Sequence, residues 1–336
     1  MNILLTGGAG YIGSHTAAVL TKAGHNVVLL DNFSNSHKEV VNSLKDILGK
    51  PILCIEADVR DTAAVIRGLK ANKIDAVMHF AGLKSVSESV HEPLNYYANN
   101  VQGSISLLQA MKSVGVKKLV FSSSATVYGD PAYLPYDEDH PTNPMNPYGR
   151  NKLQVEQILQ DLSISDIGWA IACLRYFNPV GSHESGFIGE DPQGVPNNLM
   201  PYLLKVASGQ LPHLNIFGSD YQTDDGTCER DYIHVMDLAD GHMAALDYLN
   251  NHAGFHVFNL GTGIAVSVLE LVGAFQVYTN QHINKIFVQR RPGDLPAYYA
   301  NPARAQRTLN WSASRSLEAV VTSAWKWQIS KNKRTK

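Results

Sequence analysis

Tyr148 and Lys152 stand four residues apart in the stretch Pro147-Tyr148-Gly149-Arg150-Asn151-Lys152, downstream of Ser124. On a helix that spacing puts both side chains on one face. An ammonium held near a phenol favours the phenolate, so the pair predicts a tyrosine pKa below its usual value of about 10. A phenolate near neutral pH takes a proton from a hydroxyl group. Ser124 closes the run Lys118-Leu119-Val120-Phe121-Ser122-Ser123-Ser124, a strand-like stretch that can bring its hydroxyl to the same oxygen. Tyr-x-x-x-Lys recurs by chance in helices, so its meaning depends on its surroundings.

Those surroundings begin at the N-terminus. Asn2 to Thr6 reads as an apolar strand, followed by Gly7-Gly8-Ala9-Gly10-Tyr11-Ile12-Gly13 and a helical run to Ala23. Gly8, Gly10 and Gly13 satisfy G-x-G-x-x-G; Gly7, Gly10 and Gly13 satisfy the related G-x-x-G-x-x-G. Glycines there allow a tight turn and bring backbone N–H groups and a helix N-terminus to a pyrophosphate. The next strand, Asn26 to Leu30, ends at Asp31, about 20 residues past the glycines. A carboxylate there accepts from a ribose 2′-hydroxyl and repels a 2′-phosphate, which favours NAD over NADP.

The elements that must hold these groups alternate. Further strand candidates are Ile52 to Ile55, Ala76 to Phe80, Leu119 to Ser122 and Trp169 to Arg175. Helical patterns run near Ala63 to Lys70, Leu94 to Val114 and Tyr148 to Leu162. Such alternation predicts an α/β fold with a doubly wound parallel sheet, whose ligands bind beyond the carboxyl ends of the strands. Asp31, Asp58, Phe80-Ala81-Gly82 and Ser122 to Ser124 all fall at such ends. Past Asn178 the alternation is lost, which predicts a second, smaller α/β substrate lobe. The expected division is residues 1–180 for the dinucleotide domain and 181–336 mainly for the second, with some segments returning to the first.

Composition sets the outer bounds. A chain of 336 residues can bury a large core. Its net charge of −2 offers no basic footprint for nucleic acid. No apolar run approaches the ~20 residues that span a bilayer. The opening strand predicts no secretory leader and a cytoplasmic protein. Cys54, Cys173 and Cys228 make no disulfide framework; the first two sit in apolar runs, and Cys228 lies in a polar loop. None of the thirteen histidines forms a metal-binding motif, so no metal is expected. The closing Lys331 to Lys336 reads as a solvated tail.

Taken together, these residues resemble the UDP-glucose 4-epimerases, also called UDP-galactose 4-epimerases, of the extended short-chain dehydrogenase/reductase family. The resemblance runs from end to end. It rests on Thr6 to His15, on His79-Phe80-Ala81-Gly82-Leu83-Lys84, on Ser122 to Gly129 and on Arg175-Tyr176-Phe177-Asn178-Pro179-Val180-Gly181. It continues in Pro196-Asn197-Asn198-Leu199-Met200-Pro201, Arg230-Asp231-Tyr232-Ile233-His234 and Pro292-Gly293-Asp294-Leu295-Pro296-Ala297. Cys228-Glu229 and Pro292 depart from the family pattern.

The resemblance implies a Rossmann fold and an NAD-dependent isomerase of galactose metabolism. In that reaction C4 of a UDP-hexose is oxidised, the 4-keto sugar rotates, and re-reduction on the other face inverts C4. Tyr148 would be the base, Ser124 would hydrogen-bond the C4 oxygen, and Lys152 would bind the nicotinamide ribose and keep Tyr148 acidic. It implies NAD contacts from Gly7, Gly10, Tyr11, Ile12, Gly13, Asp31, Asn32, Asn35, Asp58, Val59, Phe80, Ala81, Lys84, Asn99 and Tyr176, beside Tyr148 and Lys152. Around the UDP-sugar it implies Ser124, Asn178, Asn198, Leu199, Phe217, Arg230, Arg291, Asp294 and Tyr298. Arginines suit a pyrophosphate because their forked donors give charge-assisted bonds. A bulky Tyr298 would exclude N-acetylated sugars. A homodimer is implied through the helices 94–114 and 148–162, with Leu107, Leu108, Val155 and Leu159 as candidates for an outward apolar stripe. A sugar-nucleotide 4,6-dehydratase, the nearest rival, needs an Asp-Glu pair where Ala125-Thr126 follow Ser124.

Overall fold

Strands buried on both faces read as unbroken apolar runs, and such runs form parallel sheets. The computed structural model describes every residue except Val195, Asn197, Pro292, Thr335 and Lys336, so the motif positions Asn197 and Pro292 lie outside it. The chain alternates through β1 (Asn2–Thr6), α1 (Tyr11–Lys22), β2 (Asn26–Asp31), α2 (Glu39–Leu48), β3 (Leu53–Glu56), α3 (Thr62–Ala71) and β4 (Ala76–His79). It continues with α4 (Val86–His91), α5 (Pro93–Tyr96), α6 (Gln102–Val114), β5 (Lys118–Ser124), α7 (Pro147–Ser165) and β6 (Ala170–Tyr176). Side chains of successive strand residues go to opposite faces. Ile3 and Leu5 accordingly pack with α1 on one face of the sheet, and Leu4 packs with α3 and α6 on the other.

Three expectations need correction here. The single helix over 94–114 is interrupted: a π-helical turn, Tyr97–Val101, separates α5 from α6. Such turns often mark functional sites. Within it Asn100 is buried, accepting from Leu83 N at 2.8 Å and donating to Leu83 O at 3.0 Å. Leu107, Leu108, Val155 and Leu159 form no outward stripe; all four are buried against the sheet, because α6 and α7 must cover its apolar face. The closing basic stretch continues the last helix as far as Arg334 rather than forming a separate tail, and Thr335 and Lys336 lie outside the described residues.

The second half holds β7 (Asn178–Val180), α8 (Leu199–Ala207), β8 (Leu214–Phe217), β9 (Glu229–Arg230), β10 (Tyr232–His234), α9 (Val235–Tyr248) and β11 (Gly254–Leu260). After these come β12 (Val266–Ser267), α10 (Val268–Thr279), β13 (Lys285–Val288), β14 (Ala297–Tyr298), α11 (Ala303–Leu309) and α12 (Leu317–Arg334). The alternation does not end at Asn178: α9 packs on α1, and β11 pairs in parallel with β6. The central sheet therefore has seven strands in the order β11-β6-β5-β4-β1-β2-β3. Growth of the sheet reverses between β1 and β4, the switch point at which such sheets bind ligands. Short two- and three-stranded sheets and α8, α10 and α12 build the second lobe around its own core, including Leu203, Phe275 and Val321.

Cys173 is buried, Cys54 only partly so, and Cys228 is buried rather than open to solvent, its thiol pushed up by burial. No helix among the described residues is long and apolar enough to cross a membrane. Those residues also contain no cluster of three or more His, Cys, Asp or Glu able to hold a metal ion.

Candidate active site

A cleft of about 1170 Å³ opens along the carboxyl edge of the central sheet and continues into the second lobe. Every residue that the resemblance assigns to chemistry, dinucleotide or sugar nucleotide lines it; Gly8 of the glycine run does not and faces Leu29 instead.

At its floor the chain turns from β1 into α1. Gly7 has φ of +66°, and a Cβ there would lie 2.6 Å from Ala81 N. A Cβ on Gly13 would lie 2.5 Å from Gly7 O. Only glycine fits at either position. Gly10 caps α1 without a side chain, and the first turn carries no acid. The helix thus presents unpaired N–H groups and its positive dipole end to the cleft, a cradle that fits a dinucleotide pyrophosphate. Asp31 ends β2 as expected, with its carboxylate already engaged. It accepts from Ala9 N, Phe33 N and Ser36 Oγ, each at 2.9 Å, and so braces the glycine turn from beneath. Asp58 is held by Arg60 and Asn32, and the arginine lowers its carboxyl well below the usual range.

The catalytic candidates converge at the end of β5. Asn146 caps α7 by accepting from Gly149 N at 2.9 Å, and Pro147 opens the first turn. That start sets Tyr148 and Lys152 on the inward face. Lys152 is buried and donates to Ser122 O at 2.6 Å. Burial brings its pKa down to about 8, against the pull of Glu156 and Cys173. Glu156, one further turn along, forms a buried ion pair with Arg175 at 2.6 Å. Ser124 Oγ accepts from Thr126 Oγ1 at 2.9 Å and from Thr126 N at 3.2 Å, which leaves its own proton to donate.

The expected depression of the Tyr148 pKa is not observed. Burial raises the phenol above its ordinary value, and the opposing group is Ser124, through a side-chain hydrogen bond. The Lys152 ammonium lies 5.8 Å from the Tyr148 ring centroid and is aimed at the β5 carbonyl instead. Side chains that share a helix face share a direction; which oxygen the ammonium reaches is settled by β5.

At the far end the groups are softer in their mounting. Arg230 Nη1 donates to Glu229 O and Leu295 O, each at 2.8 Å, and its Nη2 stands 3.6 Å from Asp294. The Arg291 guanidinium lies 3.8 Å from the Phe217 ring centroid, so Phe217 serves as a platform facing the cleft. Asn178 donates its backbone N–H to Asp231 O at 3.0 Å, and Asn198 stands at the N-terminus of α8. Tyr298 pairs in register with Arg230. Its ring packs edge-on against Tyr136 and tilts against Phe177, and its buried hydroxyl has no partner.

Thr126, within the Ser122 to Gly129 motif, fixes Ser124. Two lining residues carry no sequence signal of their own. Asn215 presents a buried, unpartnered carbonyl oxygen on β8. Glu190 joins Lys84 across the cleft at 2.8 Å. Only folding brings Glu190 to a lysine 106 residues away.

The NAD dependent epimerase/dehydratase family matches residues 3–261. The chain is 54% identical to the UDP-glucose 4-epimerase of Bacillus subtilis over 98% of its own length and 97% of the relative's. A crystal structure of UDP-glucose-4-epimerase from Stenotrophomonas maltophila, with bound NAD and formylated UDP-arabinopyranose, superposes with a TM-score of 0.98. Identity there is 48%, with 99% of each chain covered. The enzyme from Bifidobacterium longum in complex with NAD+ and UDP superposes at 0.95, with 47% identity and 99% of each chain covered. This chain belongs to the NAD dependent epimerase/dehydratase family.

Proposed function

We propose that the cleft divides one reaction between its two ends, with Ser124, Tyr148 and Lys152 performing the chemistry. The chain is an enzyme that interconverts UDP-galactose and UDP-glucose with NAD as cofactor. NAD, when bound, accepts the electrons of C4 and returns them. The chain's own residues do the rest. Tyr148 in its ionised form takes the proton of the sugar 4-hydroxyl, becoming the neutral phenol, and later gives it back. Ser124 donates to the same oxygen, since its lone pairs already serve Thr126. Lys152, charged within the buried site, stabilises negative charge that develops on the Tyr148–substrate pair and holds the nicotinamide ribose.

Gly7, Gly10, Tyr11, Ile12 and Gly13 hold the pyrophosphate of the dinucleotide. Asp31, Asn32, Asn35, Asp58, Val59, Phe80, Ala81, Lys84, Asn99 and Tyr176 surround the remainder. Asn178, Asn198, Leu199, Phe217, Arg230, Arg291 and Asp294 take the uridine diphosphate, and Tyr298 borders the hexose. The observation that carries this reading is that Ser124, Tyr148, Lys152, the glycine cradle and two arginines line one cleft. Purified protein should convert UDP-galactose to UDP-glucose without added oxidant; absence of conversion by folded, NAD-loaded protein refutes the reading.

The division into lobes falls near residue 180, with α9, β11 and α11 belonging to the first lobe by their packing. We place the enzyme in the cytoplasm, in keeping with three unpaired cysteines, and its role in galactose metabolism. A homodimer meeting at α5 to α7 is supported by Leu94 and Ile164, 83% and 72% exposed on those helices. Sedimentation at micromolar concentration should show twice the chain mass; a monomer refutes it.

A further inference from the structure

The connection between β7 and α8 carries a carboxylate, Glu190, that touches both halves of the cleft. Glu190 Oε1 accepts from Lys84 Nζ at 2.8 Å and from Asn198 Nδ2 at 3.1 Å. The two donors belong to different half-sites, Lys84 to the dinucleotide and Asn198 to the sugar nucleotide. The carboxylate is nearly buried, its side chain 8% exposed, and the lysine is half-exposed. Its backbone is fastened independently. Glu190 O accepts from Trp327 Nε1 at 3.3 Å, and a Cβ on Gly189 would lie 2.5 Å from the Trp327 ring. Asp191 forms an ion pair with Lys331 of α12 and stands 3.6 Å from His37 Nε2 beyond β2. The backbone at Glu190 is therefore anchored, while among the described residues its carboxylate oxygen is held only by Lys84 and Asn198 and is ordered by whichever of them a ligand fixes.

We propose that Glu190 is a positioning residue that couples the two half-sites, so that each ligand strengthens the hold on the other. The physical basis is ordering. A ligand that engages Lys84 fixes the shared oxygen, and a ligand that engages Asn198 then meets a carboxamide already oriented. Coupling of this kind is reciprocal: whatever NAD does for the affinity of a uridine diphosphate, that diphosphate does for NAD. The inference rests on the cleft taking NAD and a UDP-sugar. Were that reading wrong, the wild type would neither retain NAD nor convert UDP-galactose; were only the inference wrong, both would remain.

The test follows the release of NAD from purified holoenzyme into buffer, with and without saturating UDP as the probe. In the wild type UDP slows release by roughly fivefold or more, the lower range of typical couplings. In Glu190→Ala the slowing falls below about twofold even at UDP concentrations that saturate the variant. Glu190→Gln keeps an acceptor oxygen and the side-chain shape, so it folds as the wild type and restores an intermediate ratio. A purely structural role lowers the melting temperature and leaves the ratio unchanged. A ratio in both variants equal to that of the wild type, or a wild-type ratio of one, overturns the proposal.

Discussion

The two ends of the cleft are built on different principles. At the chemical end, Ser124 ends a central strand, Tyr148 and Lys152 lie in the first turns of a capped helix, and Lys152 is clamped to a strand carbonyl. At the recognition end, Arg230 and Tyr298 sit on two-residue strands, and Arg291 is an exposed loop residue resting on an aromatic face. Reacting atoms must be placed to within fractions of an ångström, which rigid elements supply. A diphosphate is held by charge and forked donors, which tolerate a looser mounting. Substitutions at the chemical end should therefore act on kcat, and those at the recognition end on KM.

The largest effect is expected from Tyr148→Phe. It removes the proton acceptor and leaves the ring, so kcat should fall by roughly 10²–10⁴-fold, the usual range for a general base. NAD extracted from the purified variant should match the wild-type amount. Activity within tenfold of wild type in a folded variant would falsify the assignment of the base.

Ser124→Ala comes next, with a pH signature. Its hydrogen bond holds the Tyr148 pKa down against burial. Without it that pKa rises further, so a smaller fraction of the tyrosine is ionised at any given pH. The rising limb of kcat/KM against pH should move to higher pH, alongside a loss of about 10²-fold at neutral pH. An unmoved limb assigns the tuning of Tyr148 to another group. Lys152 adds a separate sign. Its pKa falls from 10.5 unfolded to about 8 folded, so between these values the unfolded chain binds more protons. The stability of the wild type relative to Lys152→Met should therefore rise as pH increases through that window, measured by chemical denaturation.

The recognition end is tested by Arg291→Ala. The variant loses one exposed guanidinium and its stack on Phe217, so KM for UDP-galactose should rise roughly tenfold, about 1.4 kcal/mol, with kcat nearly unchanged. A fall in kcat with constant KM would erase the distinction between the two ends.

That distinction also marks what the amino-acid sequence discloses. The gathering of the chemical-end residues in one cleft is legible because they sit at fixed spacings within regular elements: Gly7 to Gly13 between a strand and a helix, Tyr148 to Lys152 along one helix face. The parallel sheet was legible from its apolar runs. What was hidden depends on contacts between distant segments. Lys152 turns to Ser122 O, and Glu190 meets Lys84, only once the chain has folded. The seventh strand was missed because β11 lies at an edge, and its residues Gly254 to Val257 are only partly buried, so its pattern is broken. Leu107 and Leu159 are candidates for either an outward stripe or a sheet-facing one by sequence, because a helix pattern identifies an apolar face but does not say what covers it.

The smallest and most selective effect concerns Tyr298, where the two ends meet. Its ring packs with Tyr136 and Phe177, and it also lines the cleft, so packing and gating act through the same side chain. If the ring limits the space in which the keto sugar turns, UDP-galactose and UDP-glucose are good substrates and the N-acetylated pair poor ones. Tyr298→Cys removes the ring and should raise kcat/KM for UDP-N-acetylglucosamine by about tenfold, within the range expected for steric discrimination in a pocket. It should also lower stability by roughly 2–4 kcal/mol, since a large packed side chain is cut back. Tyr298→Phe separates the two roles. It keeps the ring and removes only a hydroxyl that has no partner, so both specificity and stability should stay near wild type. Comparable wild-type kcat/KM for both sugar pairs would remove the gate and leave Tyr298 as a packing residue.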